Sequence, residues 1–318
     1  ATYAKRGGSL ADHLGFLPKL DDLTGGEVQL SVIAAEELAQ KLDPTGDMQV
    51  VERNVSGGLG RLWWVNVGLP KVVNKLQPDV LVGGHVIEPT RIATPYIVRV
   101  TEGGLVDQRY SECVEHLEFK DRLVFRIKKM LLRRALENSS GAIVATDAVR
   151  RMILKRGWLD VTASKVYASW FGPSNIASNG EFRPARKNWE GRILTMHATP
   201  HKNIEILFAA LARELSLTLT VMTNLSQPVS RYQRYLAQLA RRSGIEERVN
   251  DIGRVSPSKV GDLLSRHDVL VVPSYCESWS HGVIEAFATG TPVVVSRIPV
   301  HREVAGEDGW YFDPDDVE

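Results

Sequence analysis

DVLVVPSYCESWSHGVIEAFATGTPVVVS, residues 268–296, decides the fold class of this chain. Its opening run, DVLVVPS, is apolar without alternation, which is how a strand buried on both faces reads. A short loop, YCESWS, leads into HGVIEAFATG, a helix over about 281–289, and TPVVVS (291–296) supplies a second buried strand. Strand, helix and strand in direct succession build a parallel sheet with helices on both faces.

The alternation continues upstream. RILTMH (192–197), LTLTVMT (217–223) and RVNDIG (248–253) read as strands, each followed by helical spacing, near 203–214, 229–243 and 257–266. Before them, ASWFGPSNIASNGEFRPARKNWE (168–190) is rich in Gly, Pro, Asn and Ser and has no apolar period, so it reads as a linker. On its other side VQLSVIA (28–34), DVLVGG (79–84), PYIVRVT (95–101) and GAIVATD (141–147) read as strands. Helical spacing covers 10–23, 35–42, 59–76 (despite Pro70), a basic stretch over about 117–138, and 148–156. The expected architecture is α/β: two doubly wound Rossmann-like domains facing each other across a cleft, residues 1–170 and 191–318, joined by a linker at 171–190. Ligands of such sheets bind beyond the carboxyl ends of the strands.

The bulk numbers agree with two ordinary domains and narrow the function. The chain has 318 residues, 43% of them hydrophobic, with 39 basic against 38 acidic side chains. A net charge of +1 gives no field for nucleic acid, and no nucleic-acid motif is present. Two cysteines, Cys113 and Cys276, make no disulfide framework and favour a reducing, cytoplasmic setting. No apolar run reaches 18 residues, and no signal peptide is visible. The chain opens on ATYAKRGG with no strand before it, as though a first strand were missing.

Chemistry concentrates in the quoted segment. Glu277 lies in the loop after a buried strand, and Glu285 falls within the first two turns of the next helix. A helix start offers N–H groups and a positive dipole end, a seat for phosphate. Carboxylates flanking that seat accept hydrogen bonds from paired hydroxyls, so the pair suits a phosphate-linked sugar. The plainer reading is an acidic first turn that complements the dipole, and spacing alone does not choose between them.

ESWSHGVIEA with TGTPVVVS resembles the E-x₇-E segment of the retaining GT-B glycosyltransferases of sequence family four. The likeness extends through SRIPVHREVAGEDGWYFDP (296–314), RVNDIGRVSPSKVGDLLSRHDVLVVPS (248–274) and TPHKN (199–203), and more weakly into the N-terminal half. It implies a transferase that moves a sugar from a nucleotide-diphosphate donor to a hydroxyl of a glycan, a lipid-linked acceptor or a small molecule. Polysaccharide biosynthesis is the expected setting. Glu277 would contact the donor sugar and Glu285 the nucleotide ribose. Backbone amides over Trp279, Ser280, His281, Gly282 and Val283 would approach sugar and diphosphate, and Lys202 would neutralise the leaving group. Arg254 and Val255 are further donor-binding candidates, and no cofactor or metal is expected. DPDD (313–316), the nearest thing to a metal motif, lies past the site. The family's C-terminal helix, which crosses back onto the first domain, is not found in the sequence.

The chain departs from the pattern in places. Where many members carry a Gly-Arg pair before the lysine, Met196 and His197 stand here, so a second cation is replaced by a histidine. Ser280 occupies a position often held by Gly, where it suits a helix cap. Gly7 and Gly8 of KRGG match the family's N-terminal glycine loop, in which adjacent glycines allow close backbone approach. Thr101 and Glu102, with His85 at another strand end, are the acceptor-side candidates, Glu102 as a carboxylate able to take a hydroxyl proton. The basic helix offers peripheral contact with an anionic membrane, against the commoner reading of a solvated face. The rivals are a non-catalytic sugar-nucleotide-binding module of the same fold and an epimerase or phosphorylase on a related scaffold, the latter without a recognisable pyridoxal lysine.

Overall fold

The computed structural model describes residues 17, 20, 27–42, 49–53, 55, 57–83, 89, 92–114, 117–158, 166–170 and 188–316. The chain divides into two compact units, residues 1–106 with 124–172, and 107–123 with 173–318. The segment 107–123, which the sequence assigns to the N-terminal half, thus groups with the C-terminal unit.

In the first unit, β1 (Ser31–Ala34) and β2 (Gln49–Glu52) pair in parallel, with α1 (Glu36–Ala39) between them. Val32, Ala34, Leu38 and Leu42 form their small core. The stretch read as one helix is three pieces: α2 (Gly58–Trp63), a wider π turn (Trp64–Gly68) and α3 (Leu69–Leu76). Gly68 permits the bulge, because a Cβ there would lie 2.2 Å from the Trp64 ring. Pro70 falls in the first turn of α3, where its missing N–H costs least. Strands β3 (Leu81–Val82), β4 (Tyr96–Val100), β5 (Gly141–Val144) and β6 (Val166–Ala168) form a parallel sheet in that order. Helices α5 (Phe119–Asn138) and α6 (Asp147–Lys155) fall between these strands in the chain; α5 begins in the segment 107–123, which also holds α4 (Gln108–Cys113) and groups with the second unit.

The second unit carries six parallel strands: β7 (Arg192–Thr195), β8 (Thr218–Val221), β9 (Val249–Asp251), β10 (Val269–Val272), β11 (Val293–Ser296) and β12 (Trp310–Phe312). Between them run α7 (Ile204–Arg213), α8 (Arg231–Arg242), α9 (Val260–Ser265), α10 (His281–Thr289) and α11 (Pro299–Ala305). Strand order is β12-β11-β10-β7-β8-β9, so the chain winds outward from β7 on one side, then returns beside it at β10 and winds outward on the other. The reversal point therefore lies between β7 and β10, and the loops leaving their carboxyl ends are where such sheets hold ligands. Leu194 and Leu270, paired in register at that seam, are fully buried.

Buried Asp268 fastens the same seam. Its Oδ2 accepts from the backbone N–H of Glu190 at 3.0 Å and of Arg192 at 2.8 Å, locking the entry of β7 onto the entry of β10. Strands β2, β6 and β12, with helices α4 and α11, escaped the sequence reading. The strands (QVVE, VYA and WYF) lack a continuous run of branched apolar residues, and helices of six and seven residues are too short to show a period.

Gly191, at the start of β7, has φ 74°, and a Cβ there would sit 2.5 Å from the carbonyl oxygen of Ser216. Gly191→Ala should destabilise the fold by roughly 1–3 kcal/mol. Thermal or denaturant unfolding of the variant checks this.

Candidate functional site

Two loops meet at the reversal point. The first leaves β7 through Met196, His197 and Thr199 into a tight turn over Pro200–Lys202, closed by Asn203 in a left-handed conformation at φ 51°. Asn203 is buried, and its side-chain N–H donates to the Pro314 carbonyl at 2.8 Å. His197 also lies left-handed, at φ 55°, a strained state that a histidine holds only where its surroundings enforce it. The second loop leaves β10 through Ser274 to Ser280. One backbone bond ties the two together, from Tyr275 N–H to the His201 carbonyl at 2.8 Å.

At this junction Lys202 Nζ donates to Glu277 Oε1, and Ser274 Oγ donates to the same oxygen at 2.7 Å. The ion pair is largely withdrawn from solvent, with side-chain exposures of 20% for Lys202 and 9% for Glu277. Burial by itself would raise the Glu277 carboxyl. The charge of Lys202, followed by the neighbouring His201 and His301, outweighs that and holds it below the usual carboxylate range. Glu277 is therefore an anion at neutral pH.

Histidines surround the pair, and all are pushed toward neutrality. Burial, with the charge of Lys202 second, lowers His201 to about 4. Its ring lies against Tyr110, centroids 5.0 Å apart, with Nδ1 3.2 Å from Thr199 Oγ1. Desolvation, then Lys202 and Arg254, lowers His197. Arg254 is exposed yet close enough to be felt there, so a second cation does stand near the position where the sequence pattern lacks one.

Helix α10 begins beside these loops. A Cβ at Gly282 would come within 3.0 Å of Met196 Sδ, so glycine lets the helix start settle onto the exit of β7. Trp279, Ser280, Val283 and Glu285 are buried. Ser280 occupies the cap position but makes no side-chain capping bond, contrary to the sequence expectation. Val255 follows Arg254 in the loop after β9, half-buried.

The structure thus gathers Lys202, Glu277 and His197 with the start of α10, and brings Arg254 within electrostatic reach. Thr101 and Glu102 belong to the other unit, where Glu102 is held by Lys128 at 3.2 Å. Gly7, Gly8 and His85 lie outside the described residues. DPDD is not remote from the lysine loop: Pro314 meets Asn203, and Asp315 grips Arg109 at 2.6 Å. His201, Ser274 and His301 were not singled out by the sequence reading. His201 sits inside TPHKN, a signal that was available; the roles of Ser274 and His301 depend on contacts across separate strands. A cavity of about 340 Å³ opens beside the lysine turn, lined in part by Arg109, Cys113, Glu205, Tyr275 and Asp315. Neither Lys202 nor Glu277 lines it, so the ion pair and not this hollow marks the chemistry.

Residues 191–318 match the family described as Glycosyl transferases group 1. They form a glycosyl transferases group 1 domain. The chain is 32% identical over 284 residues to the MMP alpha-(1->4)-mannosyltransferase of Mycolicibacterium hassiacum, covering 88% of this chain and 60% of that protein. It is 32% identical over 200 residues to the O-antigen chain mannosyltransferase RfbU of Salmonella typhimurium, covering 62% and 53%. The chain therefore spans between half and two thirds of the length of these two relatives. Among solved structures, Anabaena HepE in complex with UDP-glucose superposes with a TM-score of 0.67 at 16% identity, over 98% of this chain and 84% of that one. Sucrose-phosphate synthase from Thermosynechococcus elongatus gives 0.64 at 17% identity, over 95% and 80%. The fold is GT-B. The glycosyl transferases group 1 domain coincides with the unit that carries the Lys202–Glu277 pair.

A histidine whose value falls on folding makes stability decline as pH drops, because the unfolded chain binds the proton more readily. For His201 the window runs from 6.5, its ordinary value, to about 4. His201→Gln should flatten the fall in melting temperature across that window, while His197, His267 and His301, also lowered chiefly by burial, retain part of the slope. The loss from protonating Glu277 sets in separately, below 4.5. Thermal melts of both proteins between pH 7 and pH 4 make the comparison.

Proposed function

We propose that this chain is a glycosyltransferase that takes a nucleotide-diphosphate sugar and passes the sugar, with retention and without a metal, to a hydroxyl of a glycan, lipid-linked or small-molecule acceptor. The observation that carries this reading is the largely desolvated Lys202–Glu277 pair at the reversal point of a doubly wound sheet. Both bonds to Glu277 fall on Oε1, so Oε2 is the oxygen a donor hydroxyl would reach. An ammonium has three N–H donors, and Lys202 spends one on Glu277, leaving others for a diphosphate. The amides at the start of α10 and the Arg254 charge add to that stabilisation of the leaving group. Glu285, buried on α10, would take the ribose. The relatives named as mannosyltransferases favour a mannosyl donor.

In the reaction, the bond from the anomeric carbon to the phosphate oxygen breaks, and the acceptor oxygen bonds the same carbon on the same face. The acceptor's proton passes to the departing phosphate. Lys202 and the helix start disperse the charge that grows there, so no metal is required. Incubation with GDP-mannose and with UDP-glucose should show slow donor hydrolysis, unchanged by a chelator. Glu277→Ala should lower it by about two orders of magnitude or more, a loss of roughly 3 kcal/mol in transition-state binding. Donor-induced thermal stabilisation with no turnover would favour the non-catalytic binding module instead.

Peripheral attachment on the cytoplasmic face of a membrane belongs to the same proposal. Helix α5 buries Leu131, Leu132, Ala135 and Leu136, yet Phe119, Leu123, Ile127 and Met130 recur at helical spacing on its solvent side. Exposed Lys120, Arg126 and Arg134 flank them, as suits an anionic interface. None of the described helices is long and apolar enough to cross a membrane. The protein should sediment with phosphatidylglycerol vesicles and not with phosphatidylcholine vesicles, and Leu123→Glu with Ile127→Glu should abolish that binding.

A further inference from the structure

Helix α11 carries a histidine that none of the chemistry above uses. His301 is fully buried, with Nδ1 2.9 Å from the Ser296 carbonyl oxygen and 3.0 Å from Ser296 Oγ. A carbonyl oxygen can only accept, so Nδ1 carries the ring proton and Nε2 is left as a bare acceptor. That Nε2 is buried and has no hydrogen-bond partner among the described residues. A side chain needed only to fill space would be better served there by an apolar residue, which leaves nothing unsatisfied. What the imidazole adds is its Nδ1–H.

The bonds that follow lead toward the ion pair. Ser296 Oγ receives the imidazole and donates its own proton to the Ser274 carbonyl. Ser274 in turn donates its hydroxyl to Glu277 Oε1 at 2.7 Å, beside the Lys202 ammonium. The links run from α11 to the end of β11, and from there to the loop after β10 that bears both Ser274 and Glu277. The hydroxyl of Ser296 has one proton and must spend it on Ser274; the Nδ1–H of His301 secures that orientation by occupying the acceptor side.

We infer that His301 is a positioning residue for Glu277, acting through Ser296 and Ser274 to fix the carboxylate that grips the donor sugar. The inference rests on the proposed role of Glu277. His301 touches no substrate in this scheme; it sets the height and direction of the loop on which Glu277 stands.

The consequence is selective. Loss of the relay should harm recognition of the sugar and leave recognition of the nucleoside diphosphate, which depends on Lys202 and α10. His301→Phe keeps the bulk and removes the donor; His301→Asn returns an N–H near the place of Nδ1. Binding of GDP-mannose and of GDP, or of UDP-glucose and UDP if that donor is the one turned over, should be titrated for each variant. His301→Phe should bind the nucleotide sugar about tenfold more weakly while the free diphosphate stays within about twofold, with kcat lowered alongside, and His301→Asn should recover most of the loss. Ser296→Ala, which removes the middle hydroxyl, should reproduce the His301→Phe pattern and carries the test if that variant does not fold. Equal weakening of both ligands, or unchanged affinity for both, overturns the positioning role. A wild-type chain that binds neither pair of ligands defeats the transferase reading itself, so the two failures are distinguishable.

Discussion

A carboxylate kept charged in a nearly dry place is the constraint around which the second unit is organised. Glu277 retains its charge because Lys202 and Ser274 bind the same oxygen and the Lys202 ammonium outweighs the cost of burial. Such a pair does little for stability. Desolvation offsets most of the attraction, and apolar residues of the same volume would hold the loops as well, whereas removing one partner leaves an uncompensated charge and costs about 3–5 kcal/mol. On the proposed reading, the pair holds a ligand that is both hydroxylated and anionic.

The sheet explains why the pair can exist. Lys202 and Glu277 are 75 positions apart in the chain, and they meet because β7 and β10 are neighbours at the point where the winding reverses. Asp268 secures the entries of those two strands, and the Tyr275–His201 backbone bond secures their exits. Ties at both ends of this strand pair restrain the loops that leave it. Left-handed His197 and Asn203 mark where that fixation imposes backbone strain.

The first unit contributes differently. Its described strands fall into a pair and a parallel four, and its acceptor-side candidates are either engaged, as Glu102 is with Lys128, or outside the described residues, as His85 is. The outward apolar side of α5, a helix whose first residues group with the second unit, is less ordinary, since a helix that already buries Leu132 and Leu136 has no folding need for a second apolar stripe.

Sequence by itself determined the alternation of strand and helix and the doubly wound class, and its resemblance to a known family pointed to Lys202, Glu277, Gly282 and Glu285 as the residues to follow. Long apolar runs and helical spacing are local signals, legible where branched apolar residues run together, as in DVLVVPS, and faint in a short aromatic run such as the WYF of β12. Tertiary structure alone decided that Ser274 shares an oxygen with Lys202, that Ser280 caps nothing, that Arg254 stands near His197, and that His301 reaches the site through two serines. Those facts are relations between segments brought together by strand order. Period and propensity describe how a segment folds against water; which segments then become neighbours is settled by the crossover of the sheet, and partners in hydrogen bonds and charge follow from that.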